Sequence, residues 1–139
     1  MKKTRFGIVG TGRISDWVLK GAVMEPRFEA AAVCSRSQES GKRFAEAHCI
    51  GKVYTDVDEM ASDPEIDAIY IGTPNDTHHD IAIKCLRHHK HVLCEKPMAS
   101  NACEVSEMVK AARENGVMLM EAMISTLSPN FMNAILRLN

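Results

Sequence analysis

Near its start the chain runs a short apolar strand into a glycine turn and then a helix. Arg5 to Val9 reads as the strand, Gly10-Thr11-Gly12-Arg13-Ile14-Ser15 as the turn, and Ile14, Val18, Leu19, Ala22 and Val23 fall at helical spacing. A G-x-G-x-x-S placed between strand and helix constrains the fold more than any other stretch, because a chance match lacks that context. Gly10 permits the tight turn, and Gly12 lets a pyrophosphate approach the backbone. The free N–H groups of the following helix can then meet the phosphates. Ser15 stands where a third glycine is usual; that position serves close helix–strand packing, and serine is still small. The turn by itself also fits an ordinary βα connection that uses glycine for positive φ.

The rest of the chain repeats the same alternation. Strands are expected at 5–9, 28–34, 53–54, 68–71, 91–94 and 117–121, and helices at 13–25, 38–48, 57–61, 77–88, 101–115 and from about 129 onward. Alternating β and α units imply a parallel sheet with right-handed crossovers. The expected fold class is therefore α/β, a doubly wound parallel sheet of about six strands in the order 3-2-1-4-5-6. In the helix at 101–115, Ala102, Val105, Met108, Val109 and Ala112 share one face, and Gly116 stops it as a glycine just past a helix end should. His89 occupies the matching place after the preceding helix, and histidine tolerates the left-handed conformation better than most residues. At 139 residues the chain is one domain's worth. A domain of that size removes roughly two-thirds of its unfolded surface from water, enough for a core without staples.

Composition removes several classes of function. A formal net charge of −1 favours neither nucleic acid nor an anionic membrane as partner. No apolar run is long enough to span a bilayer. Arg5 and the early glycines make the amino end a first strand rather than a signal peptide. The five cysteines are scattered and odd in number, which reads as reduced packing residues of a cytoplasmic protein. His88, His89 and His91 cluster where a helix end runs into a strand, and the remaining His48, His78 and His79 show no ligand-pair spacing with a supporting carboxylate or thiolate, so no metal site is expected. Met118, Met120 and Met123 are placed to line the end of the sheet.

Three further segments carry chemistry, each directly after a strand. Phe28 to Cys34 leads into Ser35-Arg36-Ser37. In a dinucleotide fold an acid here bonds both ribose hydroxyls and favours NAD, whereas a nearby Arg accommodates a 2′-phosphate. With two hydroxyls, a guanidinium and no acid, NADP is favoured over NAD; Ser35 or Ser37 can also cap the next helix. Ala68 to Ile71 leads into Gly72-Thr73-Pro74-Asn75-Asp76-Thr77-His78. Asn75 or Asp76 is placed to cap the next helix, leaving His78 in its first turn, either against a ribose or substrate edge or at the surface. Finally, Val92-Leu93-Cys94 ends in Glu95-Lys96-Pro97, a carboxylate and an ammonium where open α/β sheets bind ligands. Pro97 holds Lys96 extended, so its side chain is aimed.

Taken in order, G-T-G-R-I-S, S-R-S, G-T-P-N-x-x-H, K-H-V-L-C-E-K-P-M-A and E-A-M resemble the nucleotide-binding domain of the Gfo/Idh/MocA oxidoreductases. The resemblance spans essentially the whole chain, and K-H-V-L-C-E-K-P is its most specific part. It implies a Rossmann domain binding NAD or NADP, and hydride transfer to or from a sugar, cyclitol or related hydroxyl or carbonyl carbon. It implies Gly10, Thr11, Gly12, Arg13 and Ile14 around the pyrophosphate and Ser35 and Arg36 at the adenosine ribose. It further implies Thr73, Pro74, Asn75 and His78 along the cofactor groove, and Glu95 and Lys96 by the nicotinamide ribose. Lys96 is the catalytic candidate, orienting substrate or tuning a proton relay. After Glu121-Ala122-Met123 the family often has a tryptophan, an arginine and an aromatic where this chain has Ile124, Thr126 and Leu127. Family members are more than twice as long, with a second domain that supplies most of the substrate pocket. The expectation is thus a Rossmann domain at 1–125 and, at 126–139, the start of a connection to a substrate domain. The alternative is a non-catalytic module that binds or senses dinucleotide. Pro129 opens a helix with Phe131, Met132, Ile135, Leu136 and Leu138 spread around it. That helix is expected to leave an apolar patch and drive self-association, and no dehydrogenase turnover is expected of this chain by itself.

Overall fold

The computed structural model describes residues 2–123. Strands β1 (Thr4–Val9), β2 (Phe28–Cys34), β3 (Lys52–Tyr54), β4 (Ala68–Ile71), β5 (His91–Cys94) and β6 (Leu119–Glu121) alternate with helices α1 (Arg13–Ala22), α2 (Gln38–His48), α3 (Val57–Ser62), α4 (His78–Arg87) and α5 (Ala102–Glu114). The six strands form one sheet in the order β3-β2-β1-β4-β5-β6, and every pairing is parallel. This is the expected doubly wound arrangement, whose strand order reverses between β1 and β4. Strand β4 and the carboxyl ends of β1 and β2 are apolar because they are buried on both faces.

The two faces of the sheet are covered unequally. On one, α3, α4 and α5 cover its length, and Met60, Ala82, Leu86, Met108 and Ala111 pack against Val9, Ala32, Ile69, Ile71 and Cys94. On the other, Leu19 of α1 and Phe44 and Ala45 of α2 bury Ile8 and Val33. Past β1 on that face lies a trough of about 660 Å³ among the described residues, lined by Phe6, Val18, Tyr70, Leu93, Met118 and Met120. Met123 lines it too, so the three methionines sit at the sheet as the sequence implies. The apolar segment expected from Pro129 to Leu138 lies outside the described residues, as does the connection expected at 126–139.

Helix ends follow local chemistry. Gly116, at φ +65°, closes α5, with Gly116 N–H donating to Arg113 O and Val117 N–H to Ala112 O. His89, at φ +57°, closes α4 in the same way, with bonds to Leu86 O and from Lys90 to Cys85 O. Helix α1 ends at Ala22, short of the expected 25, because tight turns from Met24 to Gly21 O and from Glu25 to Ala22 O replace the α pattern. Pro26 follows, and a residue before proline is disfavoured in the α region. Before α4 a 3-10 turn occupies Asn75–Thr77. Neither Asn75 nor Asp76 caps the helix; Thr77 is its N-cap residue, without a side-chain capping bond. The Thr77 hydroxyl instead lies 2.6 Å from Pro74 O and 2.8 Å from Thr73 Oγ1. Strand β6 begins two residues later than expected because Val117 belongs to the closure of α5. No helix among the described residues is long and apolar enough to cross a membrane. Cys34, Cys85 and Cys94 are buried, while Cys49 and Cys103 are exposed. Burial holds the Cys34 thiol up at about 11 and the Cys94 thiol up at about 12, away from reactive thiolate.

Candidate dinucleotide site

The candidate residues share one edge because the strand ends share one register. Val9 pairs with Cys34 and with Ile71, Ile71 with Cys94, and Cys94 with Glu121. The next residue of each strand therefore leaves the sheet from the same line. Backbone bonds extend that line one step into the loops: Gly10 N–H to Cys34 O at 3.0 Å, Gly72 N–H to Val9 O at 2.9 Å, and Glu95 N–H to Ile71 O at 2.9 Å. The glycine turn, Ser35-Arg36, Gly72 to Asn75 and Glu95-Lys96 are thus brought together from four segments.

At the centre the backbone has no room for side chains. Gly10 has φ +100°, and a Cβ there would lie 2.6 Å from Gly72 O. A Cβ on Gly72 would lie 2.5 Å from Ser15 Oγ and 2.8 Å from the Tyr70 ring. Ser15 is fully buried, which agrees with the close packing expected at its position, and its Oγ has no hydrogen-bond partner among the described residues. A Cβ on Gly12, by contrast, would meet nothing within 4 Å. Gly12 is also the N-cap of α1 and offers no side-chain cap, whereas Ser37, Asp56 and Asn101 cap α2, α3 and α5. The first N–H groups of α1 are left for an anion. The Arg13 guanidinium stands 5.8 Å above the centre of the exposed Trp17 ring.

At the β2 end three hydroxyls meet. Ser40 Oγ lies 2.9 Å from Thr11 Oγ1 and 2.9 Å from Ser35 Oγ, and the last two are 3.4 Å apart. Ser37 Oγ accepts from Ser40 N–H and starts α2, so Ser37 is the cap and Ser35 belongs to the hydroxyl cluster. Arg36 is exposed beside them. Ser40 was hidden in the sequence within a polar helical stretch; its spacing from the Ser37 cap was the available signal.

At the β5 end the loop carrying Lys96 is braced from below. Lys96 is exposed and makes no ion pair among the described residues. Tyr70 Oη donates to Glu95 Oε1 at 3.0 Å, and Lys96 N–H donates to Glu95 Oε2 at 3.2 Å. Burial, then the Glu95 carboxyl, push the Tyr70 phenol well above its ordinary value. Met98 N–H donates to Glu121 Oε1 at 2.7 Å. The structure corrects the expectation for His78, which neither faces the groove nor lies at the surface. Its ring is fully buried, with Nδ1 2.8 Å from Pro97 O and Nε2 3.0 Å from Thr73 O. His78 ties the Thr73 loop to the Lys96 loop, one ring nitrogen lying against a carbonyl oxygen of each. Among the described residues no cluster of His, Cys, Asp or Glu could hold a metal ion.

This edge, with its glycine turn, uncapped helix and Glu-Lys-Pro loop, matches the model of an oxidoreductase family with an NAD-binding Rossmann fold over residues 4–123. The chain belongs to the Gfo/Idh/MocA oxidoreductase family. It is 47% identical over 127 residues to scyllo-inositol 2-dehydrogenase (NADP(+)) IolU of Bacillus subtilis, covering 91% of this chain and 39% of that protein. It is 43% identical over 128 residues to trans-1,2-dihydrobenzene-1,2-diol dehydrogenase of Xenopus laevis, again covering 91% and 39%. The crystal structure of KijD10, a 3-ketoreductase from Actinomadura kijaniata in complex with NADP, matches with a TM-score of 0.90 at 29% identity, covering 99% of this chain and 44% of that one. The Gfo/Idh/MocA chain described here is an NAD(P)-binding domain, and it spans 39% of the length of its dehydrogenase relatives.

Proposed function

We propose that residues 1–125 are the cofactor-binding part of an NADP-dependent oxidoreductase acting on a hydroxyl or carbonyl carbon of a sugar, cyclitol or related diol. Residues 126–139 would begin the connection to a substrate domain. The observation that carries the reading is the meeting, on one sheet edge, of a helix start at Gly12 with no side-chain cap and an exposed Lys96 on a braced loop. The printed activities of the relatives support the substrate class, and the 39% share of their length supports a second domain.

The residues fit a dinucleotide. Gly10, Thr11, Gly12, Arg13 and Ile14 would surround the pyrophosphate, where Gly12 leaves open space. Ser35 and Arg36 would hold the adenosine ribose and its 2′-phosphate, and the run Ser35-Arg36-Ser37 carries no acid to repel it. Thr73, Pro74 and Asn75 would wall the groove, with His78 supporting them from beneath. Glu95 and Lys96 would lie by the nicotinamide ribose. When bound, the nicotinamide supplies or accepts the hydride. Lys96 would donate a hydrogen bond to the substrate oxygen, orient it, and hold the proton that the oxygen gains or loses.

Calorimetric titration tests the cofactor choice. NADP+ is expected to bind about tenfold to a hundredfold more tightly than NAD+, as a charge-assisted pair at Arg36 would give. The Arg36→Ala variant should lose that difference. Equal affinities, unchanged in the variant, would overturn the preference, and binding of neither would overturn the function.

A further inference from the structure

Strand β4 reads Ala-Ile-Tyr-Ile, and its tyrosine is the polar exception in a fully buried strand. Tyr70 is 1% exposed and Glu95 6%. A phenylalanine would fill the same apolar space, whereas a buried hydroxyl is costly unless it is bonded. Its bond runs to Glu95 Oε1, and the other oxygen of that carboxyl takes the backbone N–H of Lys96. The phenol is therefore two hydrogen bonds from the backbone of the candidate catalytic residue. The Tyr70 ring also stands against Gly72, whose carbonyl oxygen crowds Gly10. One side chain thus underlies both the glycine turn and the Lys96 loop.

We infer that Tyr70, acting through Glu95, is a positioning residue that sets where Lys96 meets the nicotinamide half of the cofactor. The inference rests on the dinucleotide reading above. Its substance is a division of labour within one carboxyl: one oxygen is anchored to the core by Tyr70, and the other fixes the backbone from which Lys96 projects. Removing the phenol leaves Glu95 free to turn, and the Lys96 backbone loses its stop. The adenosine half of the site lies across the sheet at β2 and does not depend on this link.

The test compares two ligands and a double-mutant cycle. Tyr70→Phe should weaken NADP+ by about tenfold, the scale of a lost buried hydrogen bond to a carboxyl group. It should leave adenosine 2′,5′-bisphosphate, which lacks the nicotinamide half, unchanged. Glu95→Gln, which keeps size but offers a single acceptor oxygen, should show the same pattern. In a Lys96→Ala background, Tyr70→Phe should cost nothing further, because the two act in series. Equal weakening of both ligands in Tyr70→Phe and Glu95→Gln would show a general effect on the fold and overturn the inference. So would NADP+ affinity that is unchanged in Tyr70→Phe, or a loss that persists in full beside Lys96→Ala. If the parent chain binds neither ligand, the dinucleotide reading itself has failed, and the inference falls with it.

Discussion

The two ends of the carboxyl edge are built from similar numbers of polar side chains but in opposite ways. At the Ser35 end, hydroxyls of Thr11, Ser35 and Ser40 bond one another beside an exposed arginine. At the Lys96 end, His78, Tyr70 and Glu95 are buried and bond into two loops. The first arrangement leaves hydroxyl hydrogens that can turn from one another to a ligand. The second bonds its polar groups into the loops and holds the backbone from which the exposed Lys96 projects. Under the proposed function, a ligand's identity would be read at the adaptable end, and a reactive group would be presented at the rigid one.

The largest test of that contrast is His78→Leu, which removes the buried ring that joins the Thr73 and Lys96 loops. Losing a buried hydrogen bond to a carbonyl costs about 1–3 kcal/mol, and a loss of about 3 kcal/mol, at the top of that range, is expected in urea unfolding because the bond joins two loops. A loss no greater than that of a surface substitution would break the comparison. Gly72→Ala comes next, since its methyl would press on Ser15 Oγ and the Tyr70 ring. Overpacking of this kind costs about 1–3 kcal/mol, and thermal melts should record it even without cofactor.

At the opposite edge of the sheet, Arg5 Nη2 donates to Asp67 Oδ1 at 2.8 Å and Arg5 Nε to Oδ2 at 3.0 Å. The Arg5 bonds hold the Asp67 carboxyl far below the ordinary carboxylate range. A depressed value stabilises the fold above the ordinary pKa of about 4, and that contribution is lost as pH falls below it. Asp67→Asn should therefore flatten the stability profile on the acid side, with Tm measured between neutral and acidic buffers. A profile unchanged in the variant would remove the pair from the account. The smallest effect is expected from Ser40→Ala, about 0.5 kcal/mol in stability. A larger loss would mean that the Ser35 end is as rigid as the Lys96 end.

Much of this edge was legible in the sequence because strand–turn–helix signals are local. Phe28–Cys34, Ala68–Ile71, His91–Cys94 and Gln38–His48 appear at the expected bounds, and Gly10 and Gly116 take the positive φ expected of glycine turns. What escaped was set by partners distant in sequence. His78 meets a carbonyl 19 residues away, Tyr70 a carboxyl 25 away, and Ser40 a hydroxyl 29 away. In sequence Tyr70 is only the aromatic member of an apolar run, and its hydroxyl hints at a partner without naming one. His78 could be assigned to a first helical turn but not to an inward direction, which depends on where the Lys96 loop passes.

The shared register of Val9, Cys34, Ile71, Cys94 and Glu121 has a consequence for how such a chain tolerates insertions and deletions. One residue added within β4 would turn the downstream side chains of that strand to the opposite face and carry Gly72 about 3.3 Å out of line. The same residue added between Pro64 and Glu65, before the strand begins, leaves the line and the Arg5–Asp67 pair intact. Length variation should therefore be lethal inside the strands and tolerated at the amino edge. A single-residue insertion scan scored by soluble yield would draw the sheet as a set of sharp boundaries, each ending where a loop of the candidate site begins.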